Sequence, residues 1–175
     1  MSEMVSLLEP LIPALRRYAR SFAKDKSTAD DLVQDTLEHA VSRWYQRRAD
    51  GDARAWVFSI LHNLAISGIR QAARRGQHLP LDDAHESDVA VPFAQEDGLR
   101  RRDILTALSQ LPEDQRSILL LVSVEDMSYA QVAGILDVPI GTVMSRLARA
   151  RSRLRKLMED GSPVASGCPQ LRRIQ

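Results

Sequence analysis

Apolar residues in this chain return every three or four positions over most of its length, and almost nowhere do they alternate. Leu11, Leu15, Tyr18 and Phe22 fall at i, i+4, i+7 and i+11, one stripe of a helix and the wrong period for a strand. Pro10 and Pro13 fix the ragged start of that helix, because proline is tolerated in a first turn and not in a middle. A second helix follows, with Thr28 and Asp31 as its capping signature. Leu32, Val33, Thr36, Leu37, Ala40 and Val41 form its buried stripe. Asp31, Asp35 and Glu38 line its opposite side, and exposed helix charges are by default a solvated stripe. The Gly- and Asp-rich run at 49–52 breaks the pattern. A third helix spans about 53 to 74. Val57, Ile60, Leu61 and Leu64 face inward, and Asn63, Ser67, Arg70 and Arg74 share a polar face. Three helices with short connections close one small core. Trp44, Tyr45, Trp56 and Phe58 are expected in that core rather than as base-stacking platforms.

Between residues 76 and 98 the periodicity disappears. This stretch holds two prolines, six acids and no Lys or Arg, which reads as a flexible acidic linker. Its 23 residues reach roughly 75 Å when extended, about two turns of B-DNA. The blocks on either side are mildly basic, so a net charge of +1 over 175 residues conceals the distribution that matters.

A second helical block starts near Leu99. It includes a helix that opens with Pro112 at its first position and another that opens with a Ser128–Gln131 capping box. After a break at 137–139 comes a helix of unusual character. Its positions 146–156 carry six basic side chains and no acid, while Val143, Leu147, Ala150 and Leu154 recur at helical spacing. A short helix, a tight turn and a basic helix make the grammar of a helix-turn-helix, whose second helix enters the major groove with its first turns near base edges. Thr142, Arg146, Arg149 and Arg153 share a face that Ser145 borders. Arg151, Arg155 and Lys156 are suited to phosphates, which contribute affinity without specificity. Charge runs alone are usually solvated surface; the capped helix and turn in front favour DNA here. The polar face of the third helix is less decisive on its own.

These patterns predict an all-α chain of two small helical domains joined by a flexible acidic linker, the second domain containing the helix-turn-helix. The boundaries fall at 1–75, 76–98 and 99–160, with a disordered tail at 161–175. No stretch approaches the roughly 20 apolar residues of a membrane span, and the start lacks a secretion-signal pattern. With one cysteine, Cys168, there is no internal disulfide framework, which fits a reducing cytoplasm.

The runs "ADDLVQDTLEHA", "ARAWVFSILHNLA" and "LPEDQRSILLLVSVEDMSYAQVAGILDVPIGTVMSRLARARSRL" together resemble bacterial RNA polymerase sigma factors of the extracytoplasmic-function, sigma-70-related family. The match covers about 7–75 and 99–157, in the right order and with a linker between. The resemblance implies a transcription initiation factor that binds core RNA polymerase, at the β′ clamp helices and the β flap, and directs it to promoter DNA. Region two recognises the −10 element and region four the −35 element. Asp31, Gln34, Asp35 and Glu38 would dock on the β′ clamp helices. The loop with Arg48, Asp50, Gly51 and Asp52 would hold a base flipped from the non-template strand. Asn63 would contact a base, and Ser67, Arg70 and Arg74 would follow the backbone. Thr142, Ser145, Arg146, Arg149 and Arg153 would read the −35 element. An anti-sigma factor that masks the polymerase-binding faces is also implied; no cofactor is. The chain departs from the family pattern at Ala49, Asp137 and Met144. The last stands where many members carry Lys or Arg.

Three other classes compete with this reading: a stand-alone regulator, an enzyme and a pure protein-interaction module. A stand-alone helix-turn-helix regulator usually binds paired half-sites as a dimer, and neither a sensor segment nor a heptad seam is evident. An enzyme needs a reactive constellation, yet His39, His62, His78 and His85 lack metal-ligand spacing and no glycine-rich phosphate loop appears. His78 and His85 with Asp82 and Asp83 are the one candidate metal set, weighed against simple solvation.

Overall fold

The computed structural model describes residues 2–23, 25–48, 51–74 and 103–161. Within them lie seven principal helices: α1 (Ser2–Leu8), α2 (Ile12–Arg20), α3 (Lys26–Ser42), α4 (Ala53–Arg74), α5 (Glu113–Ser123), α6 (Tyr129–Leu136) and α7 (Ile140–Gly161). A single 3-10 turn, Glu9–Leu11, joins α1 to α2, and another, Trp44–Gln46, follows α3. Residues 103–109 are also helical, and no strand occurs among the described residues. The linker at 76–98, the histidines and aspartates proposed for metal there, and the tail beyond Gly161, including Cys168, lie outside the described residues.

Helices α2, α3 and α4 pack around Leu15, Tyr18, Ala29, Val33, Val57, Phe58 and Leu61. Tyr18 is the hub. Its ring lies 5.1 Å from Phe22 and 5.6 Å from Phe58, offset and edge-on geometries that the ring quadrupoles favour. Its hydroxyl meets His62 Nδ1 at 3.1 Å. Helices α5, α6 and α7 form the other pile around Ile118, Leu121, Val132, Val143, Leu147 and Ala150. Burying each such aliphatic side chain stabilises the fold by about 1.5–3 kcal/mol.

The helices expected at 53–74 and after 139 are present, with the same inward residues. Several local features differ from expectation. Helix α1 carried no sequence signal strong enough to announce it. Helix α3 is capped by Asp25, whose carboxylate accepts from Thr28 N at 2.7 Å. Thr28 therefore lies inside the first turn, and the Thr28–Asp31 pair is not the cap. A carboxylate three positions upstream reaches the same orphan amides and suits the positive end of the helix. Pro112 precedes α5 as its cap residue, with extended ψ, instead of occupying the first turn. Val41 is half exposed on a groove rim, and Tyr45 is 81% exposed. Gly161 still belongs to α7, one residue past the expected boundary.

The two piles also dock on each other, α4 against α6. The loop between α5 and α6 reaches into the first pile and delivers Glu125, whose side chain is 1% exposed. Arg17 donates to both of its carboxylate oxygens at 2.9 Å. Arg54 donates to one oxygen at 3.1 Å and to the Glu125 carbonyl at 2.8 Å. Arg116 reaches back to the Ser21 carbonyl at 2.6 Å, its guanidinium over the Phe22 ring at 5.4 Å.

Candidate nucleic-acid interface

Helix α6 begins with the reciprocal cap expected of it. The Ser128 hydroxyl accepts from Gln131 N at 3.2 Å, and the Gln131 side chain accepts from Ser128 N at 2.8 Å. The helix ends at Asp137, which sits in the left-handed region at φ 52° and ψ 50°; aspartate tolerates that region better than most non-glycine residues. Val138 N then bonds the Ala133 carbonyl, and Thr142 N and Val143 N bond the Pro139 carbonyl. The chain thereby turns tightly into α7. Val143, Leu147 and Ala150 are buried beneath α7, with Leu154 partly so. The burial clamps the helix against α5 and α6 and turns its other side outward.

That outer side carries the expected readers. Ser145, Arg149 and Arg153 are exposed and Thr142 is half-buried. The Arg149 guanidinium lies back on its own helix, 3.4 Å from the Ser145 carbonyl. Arg146 stands apart from the others. It is paired with Asp114 at the start of α5 at 3.6 Å, an exposed pair of the kind worth under about 1 kcal/mol and easily exchanged.

In the first pile, Asn63, Ser67, Arg70 and Arg74 are all exposed on one side of α4. Asp52 caps α4, accepting from Arg54 N at 2.9 Å and Ala55 N at 3.2 Å, while its other oxygen accepts from the side chain of Gln131 on α6. Gly51 N bonds the Arg48 carbonyl at 3.0 Å. A Cβ at Gly51 would stand 3.2 Å from that oxygen, so a side chain there crowds the turn. Asp50 lies outside the described residues. Asp31, Gln34, Asp35 and Glu38 are exposed together on α3, Gln34 donating to Glu38 at 3.0 Å. Beside Gln34 and Glu38 runs an open groove of about 520 Å³ between α2 and α3, floored by Val33, Leu37 and Ile12 and bounded by Arg16, Asp30 and Val41.

Residues 8–62 match the family model of the Sigma2 domain of PhyR, and residues 101–154 match that of Sigma-70, region 4. The chain is 35% identical over 147 residues to the ECF RNA polymerase sigma factor EcfG of Rhodopseudomonas palustris, covering 84% of this chain and 80% of that protein. The chain belongs to the ECF RNA polymerase sigma factor family. It is also 32% identical over 161 residues to the ECF sigma factor SigL of Mycobacterium tuberculosis, covering 90% and 89% of the two chains. Among solved structures it is similar to the sigma factor RpoE of Bartonella quintana in complex with the anti-sigma factor NepR, with a TM-score of 0.76, 34% identity and coverage of 93% and 100%. CnrH in complex with the cytosolic domain of CnrY gives a TM-score of 0.69 at 26% identity, covering 91% and 89%.

ECF sigma factors are transcription initiation factors, and the sequence-level resemblance is thus borne out. The rival reading as a stand-alone regulator loses its ground. Among the described residues no group of His, Cys, Asp and Glu could hold a metal ion, and no described helix is long and apolar enough to cross a membrane.

In this ECF sigma factor, sequence reasoning missed the Glu125 clamp, because its partners lie 108 and 71 residues away in the chain. It also missed Tyr45, exposed beside the loop at 48–52. His62 is a further, partly buried group. Desolvation, aided by the Arg70 charge, pushes its pKa down to about 4, so it stays neutral and serves the Tyr18 hydroxyl. Burial pushes the Tyr18 phenol well above its ordinary range.

Proposed function

We propose that this chain, in the cytoplasm, binds core RNA polymerase and directs it to a dedicated set of promoters, under the control of an anti-sigma factor. The chain itself performs no bond-making step; it orients promoter DNA for the polymerase. In this reading residues 1–75 bind the polymerase clamp and the −10 element, 76–98 link, and 99–160 read the −35 element.

The observation that carries the reading is α7. It is a long helix locked by Val143, Leu147 and Ala150 onto a capped α6, and it presents Ser145, Arg149 and Arg153 outward. An arginine that meets a guanine edge through two hydrogen bonds discriminates by about 1–3 kcal/mol. The exposed Asn63–Ser67–Arg70–Arg74 side of α4 suits the backbone and bases of an opened −10 strand, and the loop at Arg48, Asp50, Gly51 and Asp52 suits a base drawn from the stack, a step that costs a few kcal/mol. Both Asp52 oxygens are engaged, so a nucleotide entering this loop displaces Gln131. Asp31, Gln34, Asp35 and Glu38 form an acidic docking face with an apolar groove alongside, and such a face suits a basic, amphipathic helical partner. The anti-sigma assignment is supported by the RpoE–NepR and CnrH–CnrY complexes.

Run-off transcription on genomic fragments tests this. Core polymerase with the chain yields discrete transcripts that core alone does not. Transcripts identical with and without the chain, or sequence-specific footprints by the chain alone at paired half-sites, overturn the proposal.

A further inference from the structure

The DNA-facing helix carries two side chains that a purely ionic surface does not explain. Ile140 and Met144 are 48% and 50% exposed, although both are large apolar groups four residues apart on the first turns of α7. Val143 and Leu147 already anchor the helix from below, so neither Ile140 nor Met144 is needed for packing. Ala148, exposed one turn on, continues the same line, and the three form a narrow apolar ridge. Ser145 and Arg149 run along one side of it and the buried Val143–Leu147 stripe along the other, while Arg151 and Arg155, also exposed, continue its own line into the following turns. An apolar patch on the first turns, with arginines beside it and further along the same line, fits poorly to water and poorly to a membrane surface, where apolar and basic residues occupy opposite faces. It fits the floor of a major groove. There phosphates lie on both sides, and one base, thymine, presents a methyl group.

We propose that Met144, backed by Ile140, is a specificity-determining residue that reads the 5-methyl group of thymine in the promoter element that α7 enters. The proposal rests on α7 being the major-groove helix described under Proposed function, and it adds which base is sought and by what chemistry. Met is suited to the task because an unbranched, polarisable side chain adapts its three torsions to an apolar partner. Ser145 and, one turn on, Arg149 supply the hydrogen bonds.

The test uses holoenzyme reconstituted from core polymerase and the full chain, and a promoter library randomised across the upstream element. Wild-type holoenzyme enriches thymine at one or two positions. Replacing the selected thymine by deoxyuridine, which removes only the methyl group, weakens binding about fourfold, the effect of one buried methyl. Met144→Ala abolishes both the thymine enrichment and the deoxyuridine penalty, whereas Met144→Leu retains them. Met144 is half exposed, and unchanged circular dichroism shows that the variants fold. Enrichment of an element without a thymine preference overturns the proposal, as does a preference or penalty that survives in Met144→Ala. A library in which nothing is enriched overturns the DNA-reading role of α7 itself, and this inference with it.

Discussion

Replacing Glu125 by Ala separates the two helical piles without unfolding either. In the folded chain the Glu125 carboxylate is 1% exposed and accepts three charge-assisted hydrogen bonds, two from Arg17 and one from Arg54. Removing one member of a buried ion pair costs about 3–5 kcal/mol, because the remaining charge loses its partner. Here the partners are Arg17 and Arg54, whose side chains are 52% and 38% exposed. Water can take over part of their solvation, and Arg54 keeps the Glu125 carbonyl. The cost therefore sits at the lower end, about 3 kcal/mol, which shifts the docked-to-undocked ratio on the order of 100-fold. Glu125 lies in the loop after α5 and contributes nothing apolar to either core, so the loss falls on docking. Fluorophores on Gln34 of α3 and Ser152 of α7, both exposed, report the separation by single-molecule energy transfer, with Cys168 replaced by Ser. Glu125→Ala shifts the population to a low-transfer state at unchanged helicity. An unaltered transfer distribution, or a loss of helicity in parallel with it, refutes the reasoning.

His62 makes stability depend on pH. Its folded pKa of about 4 lies below the unfolded value of 6.5, so its contribution is complete above pH 6.5 and is lost as pH falls from 6.5 towards 4. A shift of that size is worth up to about 3 kcal/mol, and His62→Gln flattens the denaturation free energy across that window. Leu147→Ala opens a cavity under α7 and lowers stability by about 2–4 kcal/mol in urea titration; an effect below about 1 kcal/mol contradicts the packing described. Asp137→Gly relieves a left-handed residue at φ 52° and raises the melting temperature by the equivalent of about 0.5–1 kcal/mol, net of the added chain entropy of glycine. A lowered melting temperature shows that the Asp137 side chain contributes more than its backbone costs.

What sequence could and could not reveal follows from the range of the interactions. The stripes Val57–Leu61 and Val143–Leu147–Ala150 repeat at a local period, and the Ser128–Gln131 box closes within one turn, so each is written in adjacent residues. The fold class, the helix-turn-helix and the outward set Ser145, Arg149 and Arg153 were legible for the same reason. Helix α1 was not, since seven residues carry too little periodicity and are held by their packing. The residue pattern points to a cap of α3 at Thr28 because two residue types compete there, and only geometry shows that the Asp25 carboxylate reaches the amide. Glu125 is the extreme case. A lone acid in a loop looks solvated, and its burial between Arg17 and Arg54 depends on how the two piles meet. The exposure of Met144 and Ile140 was likewise invisible to hydropathy, which assigns such residues to the interior.

Genome-wide mapping of transcript 5′ ends made in vitro tests the central claim most directly, comparing core polymerase alone, core with this chain, and core with the chain carrying Arg146→Ala and Arg149→Ala. Two cooperating surfaces predict that the chain concentrates initiation at a limited set of start sites sharing two elements about two helical turns apart, and that the double substitution disperses initiation while leaving polymerase binding intact. Start sites unchanged by the double substitution would contradict the account.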